Sequence, residues 1–211
     1  TEKSRGNAPA LLFDNVPGYD EGFRTLYGSL SSVRRVALTL GLPLEHDRKV
    51  DIVQQYYTRM QDMQLIPPKM VDTGPVMENI MEGDDIDVLK FPVPRHHEQD
   101  KARYIGTANC VITKDPDNGS YNVGTYRNQV YDAKTIGCQI TEGKHGRIHR
   151  DKYFERGEEC KFVILVGEDP LLYMLSASPL PDGVCELDFA GGLRGEAIEC
   201  ITGPYTGFPI P

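Results

Sequence analysis

A chain of 211 residues with 39% hydrophobic content can bury a sizeable core, as one large domain or two small ones. Its formal net charge of −8 argues against a broad phosphate-backbone footprint, so nucleic acid is not an expected partner, although a local basic pocket for one small anion stays open. No apolar run approaches the roughly 18 residues of a membrane span, "TEKSRGNAPA" has no signal-peptide core, and Cys110, Cys138, Cys160, Cys185 and Cys200 form no CxxC pair, so a cytoplasmic protein with reduced, mostly buried thiols is expected.

In chain order, "PALLFDNV" (9–16) is a short apolar run closed by Pro17-Gly18 and predicts a buried strand and turn. "SLSSVRRVALTLGLP" (29–43) predicts a helix with a Ser cap, an apolar face at Val33, Val36, Leu38 and Leu40, and a stop at Gly41. "HDRKVDIVQQYYTRMQDM" (46–63) predicts a second helix, packing through Val50, Val53, Tyr57 and Met60 and ending before "IPP". Residues 66–102, rich in Pro, Asp and His, are a connecting region with one or two short elements. Its adjacent His96 and His97 point in different directions on an extended chain and lack a partner at ligand spacing, so a solvated or hydrogen-bonded pair is expected.

From 103 the pattern becomes antiparallel β. "RYIGTANCVIT" and "YNVGTYRNQV" flank "KDPDNGS", whose Pro-Asp-Asn-Gly is a hairpin signature, and "KTIGCQIT" follows a turn around Asp132-Ala133, predicting a three-stranded meander. Then come a helix around "HRDKYFERGE", a strand "KFVILVG" at 161–167, a helix "DPLLYMLSAS", a Gly-rich helical stretch "GVCELDFAGGL" and a strand "EAIECI". The class is α+β, with a boundary near 100 between an α/β segment (1–100) and a β-barrel-like part (101–211).

Three stretches could carry chemistry. "YNVGTYRNQV" concentrates Asn122, Thr125, Arg127, Asn128 and Gln129 around Gly124; alternation puts Asn122 and Arg127 on opposite faces unless Gly124 is a bulge, and a solvated edge strand with a slack glycine is the plainer reading. "EGKHGRIH" (142–149) clusters Lys144, His145 and Arg147 as an anion site requires, and spaces His145 and His149 at i,i+4 but without the glutamate of HExxH. Glu186, in an apolar Gly-rich neighbourhood, is either a helix N-terminal charge or a ligand.

Taken in order, "NVGTYR", "KHGRIH" and "SASPLPDGVCELDFAGGLRGE" resemble the successive cofactor-binding motifs of the UbiD-type decarboxylases, and "PALLFDNVPGYDEGF" resembles the opening of their first domain. The resemblance spans essentially the whole chain and implies a split β-barrel flavin-binding domain at 101–211. It implies reversible, non-oxidative decarboxylation of an aromatic or α,β-unsaturated acid with prenylated FMN, the partners being a small aromatic carboxylic acid and CO2, in a homo-oligomeric full-length protein. By the same resemblance Asn122, His145 and Glu186 bind Mn2+ or Mg2+, carbonyls around Ser176 and Ser178 hold K+, Thr125 and Lys144 contact the flavin, Pro179 lies beneath its rings, and Arg127 orients the substrate carboxylate. An amide oxygen, an imidazole and a carboxylate make a mostly hard donor set that suits such a cation. Family members continue into an E-I-V-I-E-G segment carrying the proton donor, and into a C-terminal domain, whereas this sequence stops at "TGFPIP"; turnover by the 211-residue polypeptide alone is therefore not expected. Two rival expectations are an FMN-dependent oxidoreductase and a non-catalytic flavin-binding fragment or assembly module.

Overall fold

A computed structural model describes residues 9–43, 48–181 and 183–211. The start of "TEKSRGNAPA", the His46-Asp47 opening expected for the second helix and Asp182 of the Gly-rich helical motif lie outside the described residues. The first two elements, β1 (Leu11–Phe13) and β2 (Thr25–Tyr27), pair antiparallel with Leu12 opposite Leu26. Contrary to the buried strand expected at 9–16, Leu11, Leu12 and Phe13 are all exposed.

Helix α1 (Val33–Thr39) starts where the sequence places its cap, with the Ser32 hydroxyl accepting the Arg35 N–H at 3.3 Å. Helix α2 (Lys49–Asp62) follows, its Asp51 held by Arg48 at 2.7 Å. The buried faces differ from those the periodicity suggested. Ala37 and Leu40 are inside while Leu38 is 68% exposed, and Ile52 is inside while Val50, Val53 and Tyr57 are outside. The cause is the partner surface. Ala37, Leu40, Leu42 and Ile52 pack against α4 (Pro170–Ser176) and α5 (Glu186–Arg194) through Leu171, Leu175, Phe189, Ala190 and Leu193, with Val33, Val36 and Met60 at the margin. Arg59 of α2 donates to the Leu40 carbonyl at 2.9 Å and to the Leu193 carbonyl, satisfying the ends of two other helices at once.

The connecting region holds one short strand, β3 (Lys69–Met70), and three 3-10 turns at Pro75–Met77, Gly83–Asp85 and Val88–Lys90. His96 meets the Thr107 hydroxyl at 3.2 Å, and the His97 backbone N–H donates to Asp100 at 2.9 Å, so this is a hydrogen-bonded pair. All five cysteines are free thiols.

The expected three-stranded meander is instead two interleaved sheets. "RYIGTANCVIT" divides into β4 (Arg103–Gly106) and β5 (Cys110–Lys114), and "YNVGTYRNQV" divides into β6 (Tyr121–Gly124) and β7 (Arg127–Val130). With β8 (Ile136–Gln139) and β9 (Val163–Leu165), these make one sheet in the order β4-β7-β8 and another in the order β6-β5-β9. The break at 125 has a local cause: the Thr125 N–H leaves the ladder and donates to the Ser176 carbonyl of α4 at 3.1 Å. No bulge forms at Gly124, because the pairs Thr113↔Asn122, Ile112↔Val123 and Val111↔Gly124 run in unbroken register. Asn122 and Arg127 are thus separated by sheet rather than by face. The hairpin at 114–121 forms as its turn residues predict, with Asp115 and Ser120 bonded at 2.8 Å and the Asp115 carboxylate accepting the Asp117 N–H at 2.9 Å.

Helix α3 (His145–Glu155) begins ahead of the stretch expected for it, and α4 and α5 occupy theirs. β10 (Glu199–Thr202) pairs parallel with β3 and antiparallel with β11 (Pro209–Ile210). A second cluster, with Cys110, Ile112, Val123, Leu172, Leu187 and Phe208, joins the β6-β5-β9 sheet to the other side of α4 and α5. The architecture is α+β in layers: α1 and α2 on α4 and α5, and these on sheet. Among the described residues the hydrogen bonds give four small sheets and no continuous barrel, and no helix is long and apolar enough to cross a membrane.

Candidate cofactor site

The layer between α3, α5 and the β5–β6 hairpin holds most of the buried polar side chains. Glu186 opens α5 and is buried, its Oε2 accepting the Val123 N–H at 2.7 Å. Burial pushes its carboxyl up to about 7, against the opposing pull of the Val123 N–H and of His145. His145, the first residue of α3, is half-buried. Two helix N-termini and one strand therefore bring His145, Glu186 and Asn122 into the same layer. A carboxylate that loses this much by leaving water is one that a bound cation would stabilise.

Asn122, on β6 opposite Thr113, is also buried. Its Nδ2 donates to Thr113 Oγ1 at 3.4 Å and to Tyr126 Oη at 3.2 Å. Both N–H groups are thereby committed, and what the amide has left to offer is its oxygen. Tyr126 Oη also accepts the Gly146 N–H at 3.0 Å, tying β6 to the first turn of α3. The ring passes between two glycines: a Cβ at Gly124 would lie 2.3 Å from Oη, and one at Gly146 would lie 2.7 Å from the ring. Gly124 is therefore required for close approach of an aromatic ring. Its neighbour Tyr126 lies among the candidate residues, and no motif in the sequence singles it out.

His149 is not a second chelating histidine beside His145. It is buried, with Nδ1 at 3.0 Å from Thr113 Oγ1 and Nε2 at 3.8 Å from the Asp115 carboxylate, which Lys152 also holds at 2.7 Å. Burial lowers its pKa more than Asp115 raises it, favouring the neutral ring. Among the described residues no three His, Cys, Asp or Glu side chains are grouped to hold a metal ion.

The remaining expected residues fall in two places. Thr125 and Ser176 are joined directly, Oγ1 to Oγ at 2.6 Å; since the Ser176 hydroxyl donates to the Tyr173 carbonyl at 2.7 Å, Thr125 is the donor. Ser178 and Pro179 are exposed just beyond α4, Ser178 Oγ donating to the Met174 carbonyl at 2.9 Å. Lys144 is exposed at the cap of α3. Arg127 is exposed on β7, its guanidinium over the Tyr104 ring at 5.3 Å, in a groove of about 450 Å3 lined also by Gln129, Arg147 and Arg150. Arg147 and Arg150 share one partner, Asp151, at 2.8 and 2.9 Å, so with Arg127 the groove carries three guanidinium charges against that one carboxylate and keeps a positive field. A larger apolar cavity of about 1000 Å3, between Phe91, Ile105, Leu172 and Ile198, is lined by none of the expected site residues.

The sequence profile of the UbiD domain, described as the 3-octaprenyl-4-hydroxybenzoate carboxy-lyase Rift-related domain, matches residues 69–211. A pyrrole-2-carboxylic acid decarboxylase of Pseudomonas aeruginosa is 33% identical over 214 residues, covering 97% of this chain and 42% of that protein. The vanillic acid decarboxylase of Sedimentibacter hydroxybenzoicus, in its closed form, superposes with a TM-score of 0.88 at 26% identity, over 97% of this chain and 43% of that one. An evolved dimeric form of the UbiD-class enzyme HmfF from Pelotomaculum thermopropionicum, in complex with prFMN, superposes with a TM-score of 0.85 at 26% identity, over 100% and 47%. The chain thus spans somewhat under half the length of these relatives.

Proposed function

The chain belongs to the UbiD family, and from that membership we propose that it is the prenylated-FMN-binding part, with residues 101–211 as the binding domain, of a carboxy-lyase for an aromatic or α,β-unsaturated acid. The observation that carries the reading is the buried Glu186, whose carboxyl is pushed up to about 7 by burial, in one layer with His145 and with an Asn122 amide that has only its oxygen to give. These three residues would hold Mn2+ or Mg2+, to which a flavin phosphate can bind. Thr125 and Lys144 would meet the flavin, Pro179 would lie under it, and the carbonyls near Ser176 and Ser178 would take K+. When bound, the prenylated flavin supplies the electron sink for the carbanion left by departing CO2.

The protein's own share is placement and charge. Arg127 offers a planar, permanently charged fork that orients a carboxylate by two parallel N–H···O bonds, within a groove that Arg147 and Arg150 keep positive. The same reading makes the whole protein a cytoplasmic homo-oligomer, and the evolved dimeric form of HmfF among its structural neighbours accords with an oligomer. The test is reconstitution with prenylated FMN and Mn2+, followed by gel filtration, metal analysis and flavin absorbance. The unaltered chain should retain both and Glu186→Ala should retain neither; equal retention by the two would sink the assignment.

A further inference from the structure

We propose that Thr113 and His149 form a positioning chain that fixes which way the buried Asn122 amide faces, so that its oxygen and not its nitrogen is presented toward His145 and Glu186. This rests on the reading of Asn122 as a cation ligand. An amide's two ends are nearly the same size, and only hydrogen-bond partners tell them apart. Thr113 has a single hydroxyl proton. The Asp115 carboxylate favours the ring proton on Nε2, which leaves His149 Nδ1 to take the Thr113 proton at 3.0 Å and the Thr113 oxygen to accept one Asn122 N–H at 3.4 Å. Nε2 faces Asp115 at 3.8 Å; Asp115 is fixed in turn by Lys152 at 2.7 Å.

The direction is consistent from end to end, from Asn122 N–H to Thr113 O–H to His149 to the Asp115 carboxylate. All four side chains are buried, with no more than 8% of any residue exposed. A flipped amide would take the Thr113 proton on its oxygen and reverse the chain, putting the His149 proton on Nδ1, turning a bare Nε2 toward the Asp115 carboxylate and aiming two amide N–H groups at the cation site. The second amide N–H meets Tyr126 Oη, which also accepts the Gly146 N–H and so ties the amide to α3. His149 reaches Asn122 through Thr113, and acts as a positioning residue.

The direct test uses metal-free, 15N-labelled chain, with the Asn122 side-chain NH2 pair identified by its loss in Asn122→Asp. Thr113→Val and His149→Phe should shift that pair and speed its exchange with solvent, and Thr113→Ser should restore it; circular dichroism confirms that each variant is folded. An NH2 pair unmoved by Thr113→Val overturns the chain. Titration with Mn2+ alone then reads its consequence: Thr113→Val should weaken binding roughly tenfold, within what outer-shell partners of metal ligands usually cost, and should add less than about twofold in an Asn122→Ala background. The same loss in both backgrounds would show that the substitutions act through the packing of α3, and would overturn the proposal. If the unaltered chain binds no Mn2+, the ligand reading falls, and the amide resonances alone decide the orientation.

Discussion

Asn122 and Arg127, on the two halves of one sequence run, end in opposite environments. On β6 the polar side chain is buried and its N–H groups are met by named partners; on β7 Arg127 lies exposed in a basic groove where two neighbouring arginines already share one aspartate. The first arrangement is preorganised by the protein alone, while the second gains most of its energy only when an anion arrives. Changes at the buried half should therefore cost metal and stability together, and changes at the groove should cost ligand binding with little else.

The largest effect is expected at Glu186. Glu186→Ala removes a proposed charged ligand from a buried site, and Mn2+ affinity should fall by about a hundredfold or more, beyond the range usual for supporting residues. A titration in which Glu186→Ala and Arg127→Ala lose Mn2+ affinity equally would erase the distinction between the two halves.

Glycine substitutions sharpen it next. A Cβ at Gly124 would press on the buried Tyr126, which cannot move without giving up its bonds to Asn122 and Gly146. One at Gly137, at the groove, would meet the Tyr131 ring at 2.6 Å, but Tyr131 is exposed and free to swing outward. Thermal unfolding should place the cost of Gly124→Ala at about 1–3 kcal/mol and that of Gly137→Ala within roughly 0.5 kcal/mol.

That contrast marks where the sequence was legible. The hairpin at 114–121, the Ser cap of α1 and the places of α4 and α5 follow from local chemistry, and the motifs around Asn122, His145 and Glu186 stand out by residue type. What could not be read locally was set by distant partners. Leu38, Val50 and Val53 lie outside because α4 and α5 dock beside them on Ala37 and Ile52. The division of 121–130 depends on a carbonyl of α4, and the slot for Tyr126 needs glycines from two separate elements. No periodicity in a single stretch carries that information.

A pH profile should show the buried half losing stability. Glu186 has a folded pKa of about 7 against 4.5 when unfolded, raised chiefly by burial, so the folded state holds the extra proton between these values. Its contribution is full below pH 4.5 and is lost as pH rises through 7. Measured against Glu186→Gln, which does not titrate, the metal-free chain should lose on the order of 1–2 kcal/mol across that window. Saturating Mn2+ at pH 8 should recover much of it. A difference flat from pH 5 to 8 would mean that the carboxylate is ionised throughout that window.

The smallest effect on stability belongs to Arg127, and its smallness is what separates the groove from the site. The side chain is exposed, and its contact with the Tyr104 ring at 5.3 Å is of a kind worth about 0.5–1 kcal/mol at the surface. Removing it also relieves repulsion from Arg147 and Arg150, which line the same groove. These terms oppose each other, so Arg127→Ala should change unfolding free energy by no more than roughly 0.5 kcal/mol. Binding is another matter, because a charge-assisted pair with a carboxylate is worth about 1.5–3 kcal/mol. With benzoate as the probe, the variant should bind at least about tenfold more weakly, with a flatter dependence on salt as one of three guanidinium charges is lost. Arg127→Lys should keep the charge and the salt dependence while losing the two-pronged geometry, and so fall between the two. Unaltered benzoate affinity in Arg127→Ala would move carboxylate recognition to Arg147 and Arg150, and would leave Arg127 without a role in the groove.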